Sequence, residues 1–318
     1  MLPVQPAGQS TAPLGKRPSS TWLPPNAAID VRAQSLPMEK SAARRGDMPC
    51  IASPSAPVAA ARAVVGFGAS ISVGDLDAAK HVSFQIPGLD TTVGKDMASK
   101  TMQANDQRVE QRDIARLYGI DRVRLAVVAW IGVEPAQGMG VFSNDHAKVV
   151  GAALGNYVTG ANAVHQDLDN TAMTTAIGHS MGSLGAMEAA KTELPVDNLV
   201  LVGDVGAPDN VTSVNDLHLN PGGTVYRGTY DWDHVAEVGH GLGWQRKSTA
   251  DPGFGAVTFG TDGTTGSDGA VEHPTETHDG QTGGKDGIYG YFDRRTQSSY
   301  NQARIALGLN DQLTNATR

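Results

Sequence analysis

The rhythm of apolar and polar residues changes near residue 60. Residues 1–60 are rich in Pro, Ser, Ala and Gln, and Pro24-Pro25 and Pro54 interrupt any helical repeat. Such a segment buries too little apolar surface to offset its ordering entropy, so it is expected to be disordered. From His81 onward the pattern is that of a folded domain, taken here as residues 61–318. Residues 81–86 (His-Val-Ser-Phe-Gln-Ile) read as a buried strand closed by the turn Pro87-Gly88. Residues 101–117 are polar with widely spaced apolar positions, which predicts a surface helix. Residues 123–130 are almost continuously apolar, as a parallel strand covered on both faces should be.

The alternation continues. Residues 147–164 carry small residues at helical spacing, 172–177 read as a strand, 182–192 as a helix, and 198–202 as a strand. A shorter strand at 224–230 and a last helix at 298–307 complete the series. Strands alternating with helices imply an α/β fold with a mostly parallel central sheet and helices on both faces. Residues 241–290 are rich in Gly, Thr and Asp and lack periodicity. A loop that long is expected to lie over the C-terminal edge of the sheet.

Composition narrows the function classes. Lys and Arg number 25 against 33 Asp and Glu, a net charge of -8, so no basic excess exists to replace the counterions of a nucleic acid. The single cysteine, Cys50, cannot form an intramolecular disulfide. No apolar run approaches the ~18 residues of a membrane span. Residues 1–9 also lack the order of a signal peptide. The default expectation is a cytoplasmic protein, with export by another route left open.

The densest chemical signal is Gly178-His179-Ser180-Met181-Gly182, which fits Gly-x-Ser-x-Gly between a strand and a helix. A serine on such a tight turn is presented as a nucleophile, and small residues two before and two after it avoid collision with the neighbouring elements. Met181 would then offer its N–H to an oxyanion at the positive end of the following helix. The second donor is expected in the loop after strand 81–86, from Leu89 or Asp90, with Gly88 permitting close approach. His179 should point away from the Ser180 hydroxyl and is not expected to be the base.

The chain order Ser, acid, His then orders the remaining candidates. Asp233 is the first choice for the acid, with Asp231 and Asp204 as alternatives after their respective strands. The base is expected to be His278, with His273 the alternative, both in the long loop before the last helix. Asp262, Asp268, Glu272, His273 and His278 gather oxygen and nitrogen donors in that loop, but without the spacing of a known metal motif. Neither a metal nor a cofactor is expected.

Several segments together resemble an actinobacterial α/β-hydrolase family catalogued as a domain of unknown function. They are Val73-Gly74-Asp75-Leu76-Asp77, Ile86-Pro87-Gly88-Leu89-Asp90-Thr91-Thr92, Ala129-Trp130-Ile131-Gly132 with Pro135-Ala136-Gln137, and Gly178-His179-Ser180-Met181-Gly182-Ser183. Leu199-Val200-Leu201-Val202-Gly203, Asp233-His234-Val235 and Gly290-Tyr291-Phe292-Asp293 complete the set. The likeness covers roughly residues 62–308. It implies an α/β-hydrolase fold, a Ser-based triad, and Asp233 as acid, where the family's Asp-Pro turn aligns with Asp233-His234. Two departures stand out. Met181 occupies a position where the family often has Tyr, and residues 279–288 separate His278 from the Gly-Tyr-Phe-Asp stretch, as an insertion would.

The function expected is a serine hydrolase acting on a small-molecule acyl substrate, ester-like or related, with Ser180, His278 and Asp233 catalytic and Met181 and Leu89 binding the oxyanion. The alternative from another class is a catalytically silent α/β-hydrolase fold that serves as a binding module.

Overall fold

Strand β4 (Leu125–Ile131) is buried at every position, and its side chains divide between two cores. Ala126, Val128 and Trp130 join the core on one face, while Val127, Ala129 and Ile131 join that on the other. Such two-sided burial is what a near-continuous apolar strand predicts. The computed structural model describes residues 29–30, 68–88, 90–120, 122–134, 144–235 and 246–315, and of Ile29 and Asp30 it defines the backbone alone.

The described strands are β1 (Ile29–Asp30), β2 (Ala69–Val73), β3 (His81–Ile86), β4, β5 (Met173–His179), β6 (Asn198–Val202), β7 (Thr224–Gly228) and β8 (Val257–Thr258). They form one eight-stranded sheet in the order β1-β2-β4-β3-β5-β6-β7-β8. From β4 to β8 every neighbouring pair is parallel, whereas β2 runs antiparallel to β4 and to β1. The chain leaves β3 for β4 on one side and returns to β5 on the other. A crevice therefore opens beyond the carboxyl ends of β3 and β5, where ligands bind in open α/β sheets.

Helices α2 (Asn144–Asp167) and α3 (Met181–Thr192) pack together on one face of the sheet, and α1 (Val93–Leu117) and α4 (Gln297–Ala306) on the other. Phe84 and Ile86 meet the α2–α3 layer, so Ser83 and Gln85, alternating with them on β3, face α1. The helix expected at the surface also has a buried polar inner face. α1 buries Gln103, Gln107, Glu110 and Gln111, with Gln111 Nε2 donating to Ser83 Oγ at 2.9 Å and Gln103 Nε2 to Gln85 Oε1 at 3.3 Å. It also begins eight residues earlier than its polarity suggested, because Thr92 Oγ1 accepts the Lys95 N–H and Asp96 Oδ2 accepts the Thr92 N–H.

Two further differences concern short strands. β2, which lies between β1 and β4, is too brief and too mixed in polarity to stand out in the sequence. Within 241–290, described from residue 246, β8 extends the sheet beside β7, and β9 (Thr264–Thr265) pairs antiparallel with β10 (Val271–Glu272). The N-terminal segment lies outside the described residues, apart from the pairing of β1 with β2. Among the described residues, no helix is long and apolar enough to cross a membrane.

Candidate active site

Ser180 sits between β5 and α3 with φ 54° and ψ -126°, in the left-handed half of backbone space that a non-glycine residue adopts at a cost of about 1–3 kcal/mol. Its flanks explain how the turn fits. A Cβ on Gly178 would lie 2.6 Å from Ser183 Cα, and one on Gly182 would lie 2.4 Å from the carbonyl oxygens of Ile86 and Pro87. The turn is held on both sides, since the Ser180 N–H donates to Val202 O at 3.0 Å and the Ser183 N–H donates to Ser180 O at 3.0 Å.

His278 arrives from the loop before α4. Ser180 Oγ–H donates to His278 Nε2 at 2.8 Å, and His278 Nδ1–H donates to Asp233, with 2.8 and 2.9 Å to its two oxygens. Asp233 is fully buried just past β7, while His278 is partly exposed. The other acid candidates lie elsewhere. Asp204 is buried against Arg227 Nε at 3.4 Å and accepts from Thr249 Oγ1 at 2.7 Å, a structural ion pair, and Asp231 is exposed. His273 stacks on Tyr289 with ring centroids 4.4 Å apart and does not face the serine.

Two further residues, Tyr291 and His179, support this arrangement, and only Tyr291 had no role expected from the sequence. Tyr291 O–H donates to Asp233 Oδ2 at 2.7 Å and accepts the Tyr230 N–H at 3.2 Å. Burial and then the Asp233 charge push its phenol well above its ordinary pKa, so it remains a neutral donor. Its only signal was membership of the Gly-Tyr-Phe-Asp stretch. His179 points away from Ser180 Oγ, as its place in the turn requires, and its Nε2–H donates to the backbone carbonyl of His278 at 2.7 Å. Burial, reinforced by the neighbouring His278, lowers its pKa to about 3, which leaves it neutral.

The interval between His278 and Tyr291 is closed on itself. The N–H groups of Tyr291 and Phe292 donate to the carbonyls of Asp279 and Gly280, at 3.2 and 2.7 Å. The Asp293 carboxylate accepts the N–H groups of Thr282, Gly283 and Gly290 and the Thr282 hydroxyl. The extra residues thus form a stapled excursion whose foot carries His278, so the greater spacing does not move the histidine from the serine.

On the oxyanion side, Met181 is the first residue of α3, with its N–H at the positive helix end. Leu89 lies outside the described residues. Gly88 is in place, since a Cβ there would lie 2.9 Å from Ser180 Cβ. Among the described residues, no three His, Cys, Asp or Glu side chains converge as metal ligands. Of the loop donors considered for a metal, Asp268 and Glu272 face Arg295, and His278 faces Ser180.

A family model described as alpha/beta hydrolase matches residues 64–242, more than half of the chain. The chain belongs to this alpha/beta hydrolase family. The matched span holds Ser180 and Asp233 and ends before His278. Among curated relatives of this alpha/beta hydrolase, an uncharacterized protein of Mycobacterium bovis is 29% identical over 172 residues, covering 54% of this chain and 63% of the relative. One from Mycobacterium tuberculosis is 27% identical over 268 residues, covering 77% of this chain and 38% of the relative. The chain therefore spans less than two thirds of the length of these relatives. Among solved structures, an esterase aligns at a TM-score of 0.41 with 14% identity, over 69% of this chain and 95% of the esterase. A carboxylesterase from Mesorhizobium loti aligns at 0.40 with 14% identity, over 67% and 88%.

Proposed function

We propose that this protein is a serine hydrolase that cleaves ester-like acyl substrates through Ser180, His278 and Asp233. The observation that carries the reading is the unbroken hydrogen-bonded line from Ser180 Oγ through the His278 ring to a buried carboxylate. Ser180 Oγ attacks the acyl carbon while His278 Nε2 takes its proton. The oxyanion so formed is bound by the Met181 N–H and by a donor from the loop after β3, for which Leu89 is the candidate. His278 then passes the proton to the leaving oxygen, the C–O bond breaks, and the acyl group remains on Ser180. Water, deprotonated by His278, attacks that ester, and collapse of the second intermediate returns the proton to Ser180 Oγ and releases the acid. Asp233 holds the imidazole with its proton on Nδ1 and stabilises the imidazolium, and Tyr291 keeps the carboxylate oriented.

The test is covalent labelling with an active-site-directed fluorophosphonate. The native protein is expected to take up one label, and Ser180→Ala to take up none. Equal labelling of the two proteins overturns the assignment of the nucleophile. A native protein that neither labels nor cleaves any p-nitrophenyl ester overturns the hydrolase reading in favour of a silent binding module.

A further inference from the structure

Beside the nucleophile, a small cavity of about 50 Å³ lies between the carboxyl ends of β3 and β4 and the starts of α2 and α3. Its floor is buried and apolar, made by Ile86, Trp130 and Ala147, and its rim is half-buried, with Val150 and Met181 among its residues. Gly88 belongs both to this lining and to the immediate surroundings of Ser180, whose Cβ would stand 2.9 Å from a Cβ on that glycine. The cavity therefore lies next to the serine, with Gly88 between them, on the side of Met181, where the oxyanion donor lies.

We propose that this cavity is the acyl subsite and that it selects acyl groups of about two to four carbons. The inference rests on the serine hydrolase reading above and adds to it the class of substrate. In an acyl group joined to Ser180 with its oxygen on the Met181 N–H, the chain leaves the planar acyl carbon in a different direction from that oxygen, and we place it in the apolar cavity beyond Gly88. Size follows from volume. A cavity of about 150 Å³ accommodates the six carbons of benzene. About a third of that volume accommodates a two-carbon chain, and the half-buried rim allows one or two carbons more. Longer chains meet Trp130, which is held in the sheet, and Val150, which reaches in from α2.

The experiment measures kcat/KM for p-nitrophenyl acetate, butyrate, octanoate and dodecanoate with the full chain. Acetate and butyrate are expected to exceed octanoate by at least about tenfold, since one misfitted methylene is already worth about that factor. Val150→Ala trims the rim without touching the sheet and should raise the octanoate-to-acetate ratio by at least about fivefold. Trp130→Ala should raise it further, and Val150→Ala keeps the test valid if the loss of the indole unfolds the protein. Native octanoate hydrolysis as fast as acetate hydrolysis overturns the proposal, and so does an unchanged ratio in Val150→Ala. Absence of both ester cleavage and Ser180 labelling is a different result, and overturns the hydrolase reading together with its subsite.

Discussion

The imidazole of His179 shows how one residue couples two parts of the site. It lies next to the proposed nucleophile in sequence, yet its Nε2–H is spent on the carbonyl of His278, 99 residues away. The rings of the two histidines lie 5.1 Å apart. Because His179 stays neutral down to about pH 3, the acid limb of the rate profile belongs to another group. Its folded pKa is depressed from 6.5, so it also lends stability that is present above pH 6.5 and is lost as pH falls toward about 3. His179→Phe keeps an aromatic ring but removes the donor, and His278 is then free to shift. A misplacement of about 1 Å can cost on the order of a hundredfold. We expect kcat on p-nitrophenyl acetate to fall about tenfold to a hundredfold in His179→Phe. His179→Gln, which still carries an N–H donor, should retain most of the activity. Equal losses in the two variants, with unchanged melting, would show that the hydrogen bond is not the cause.

At the scale of elements, the excursion between His278 and Tyr291 is the part of the fold that sequence spacing rendered worst. It is long enough to carry a histidine away from the Gly-Tyr-Phe-Asp stretch, yet one carboxylate, with two backbone hydrogen bonds at its foot, holds it closed. Asp293 accepts three backbone N–H groups and one hydroxyl, and hydrogen bonds to a charged acceptor are worth about 1.5–3 kcal/mol each. Asp293→Ala leaves those donors without their acceptor. Local opening should then become frequent, and trypsin should cut after the exposed Lys285 at least about ten times faster. Timed digestion followed by mass spectrometry reads the site directly, and native-like resistance in the variant would show that other contacts hold the excursion closed.

For the molecule as a whole, one buried carboxylate sets a pH dependence of stability that is independent of the active site. Glu272 is fully buried with Arg295 Nη1 at 3.5 Å, and Glu110 and Asp268 add negative charge around it, against Arg295 and Arg304. Burial first, and Glu110 second, raise its pKa from 4.5 to about 7. The folded protein therefore holds a proton that the unfolded chain releases, and stability falls as pH climbs from about 4.5 to about 7. Glu272→Gln removes that titration. At pH 8 it should melt about 2–4 °C above the native protein, as a difference on the order of 1 kcal/mol implies for a domain of this size. The gap should close by pH 5, and calorimetry at the two pH values checks it. A gap of equal size at both values would attribute the effect to packing.

Much of this architecture is legible in local pattern. The two-sided burial of β4 follows from its unbroken apolar run, and the turn at Ser180 follows from glycines two residues away on either side, because both are constraints among near neighbours in the chain. The resemblance added the family, and the family match bears it out. What the tertiary structure alone decided is pairing over distance. Ser180 meets a histidine 98 residues on, and that histidine meets a carboxylate 45 residues back. Three aspartates stood in equivalent places after strands, and only packing separates them: Asp204 is taken by Arg227 and Asp231 faces solvent. The polar inner face of α1 was hidden for the same reason, since Gln103 and Gln111 look like solvent-facing residues until Gln85 and Ser83 are placed opposite them. A side chain's partner depends on which distant segments the sheet brings together, and no local periodicity encodes that choice.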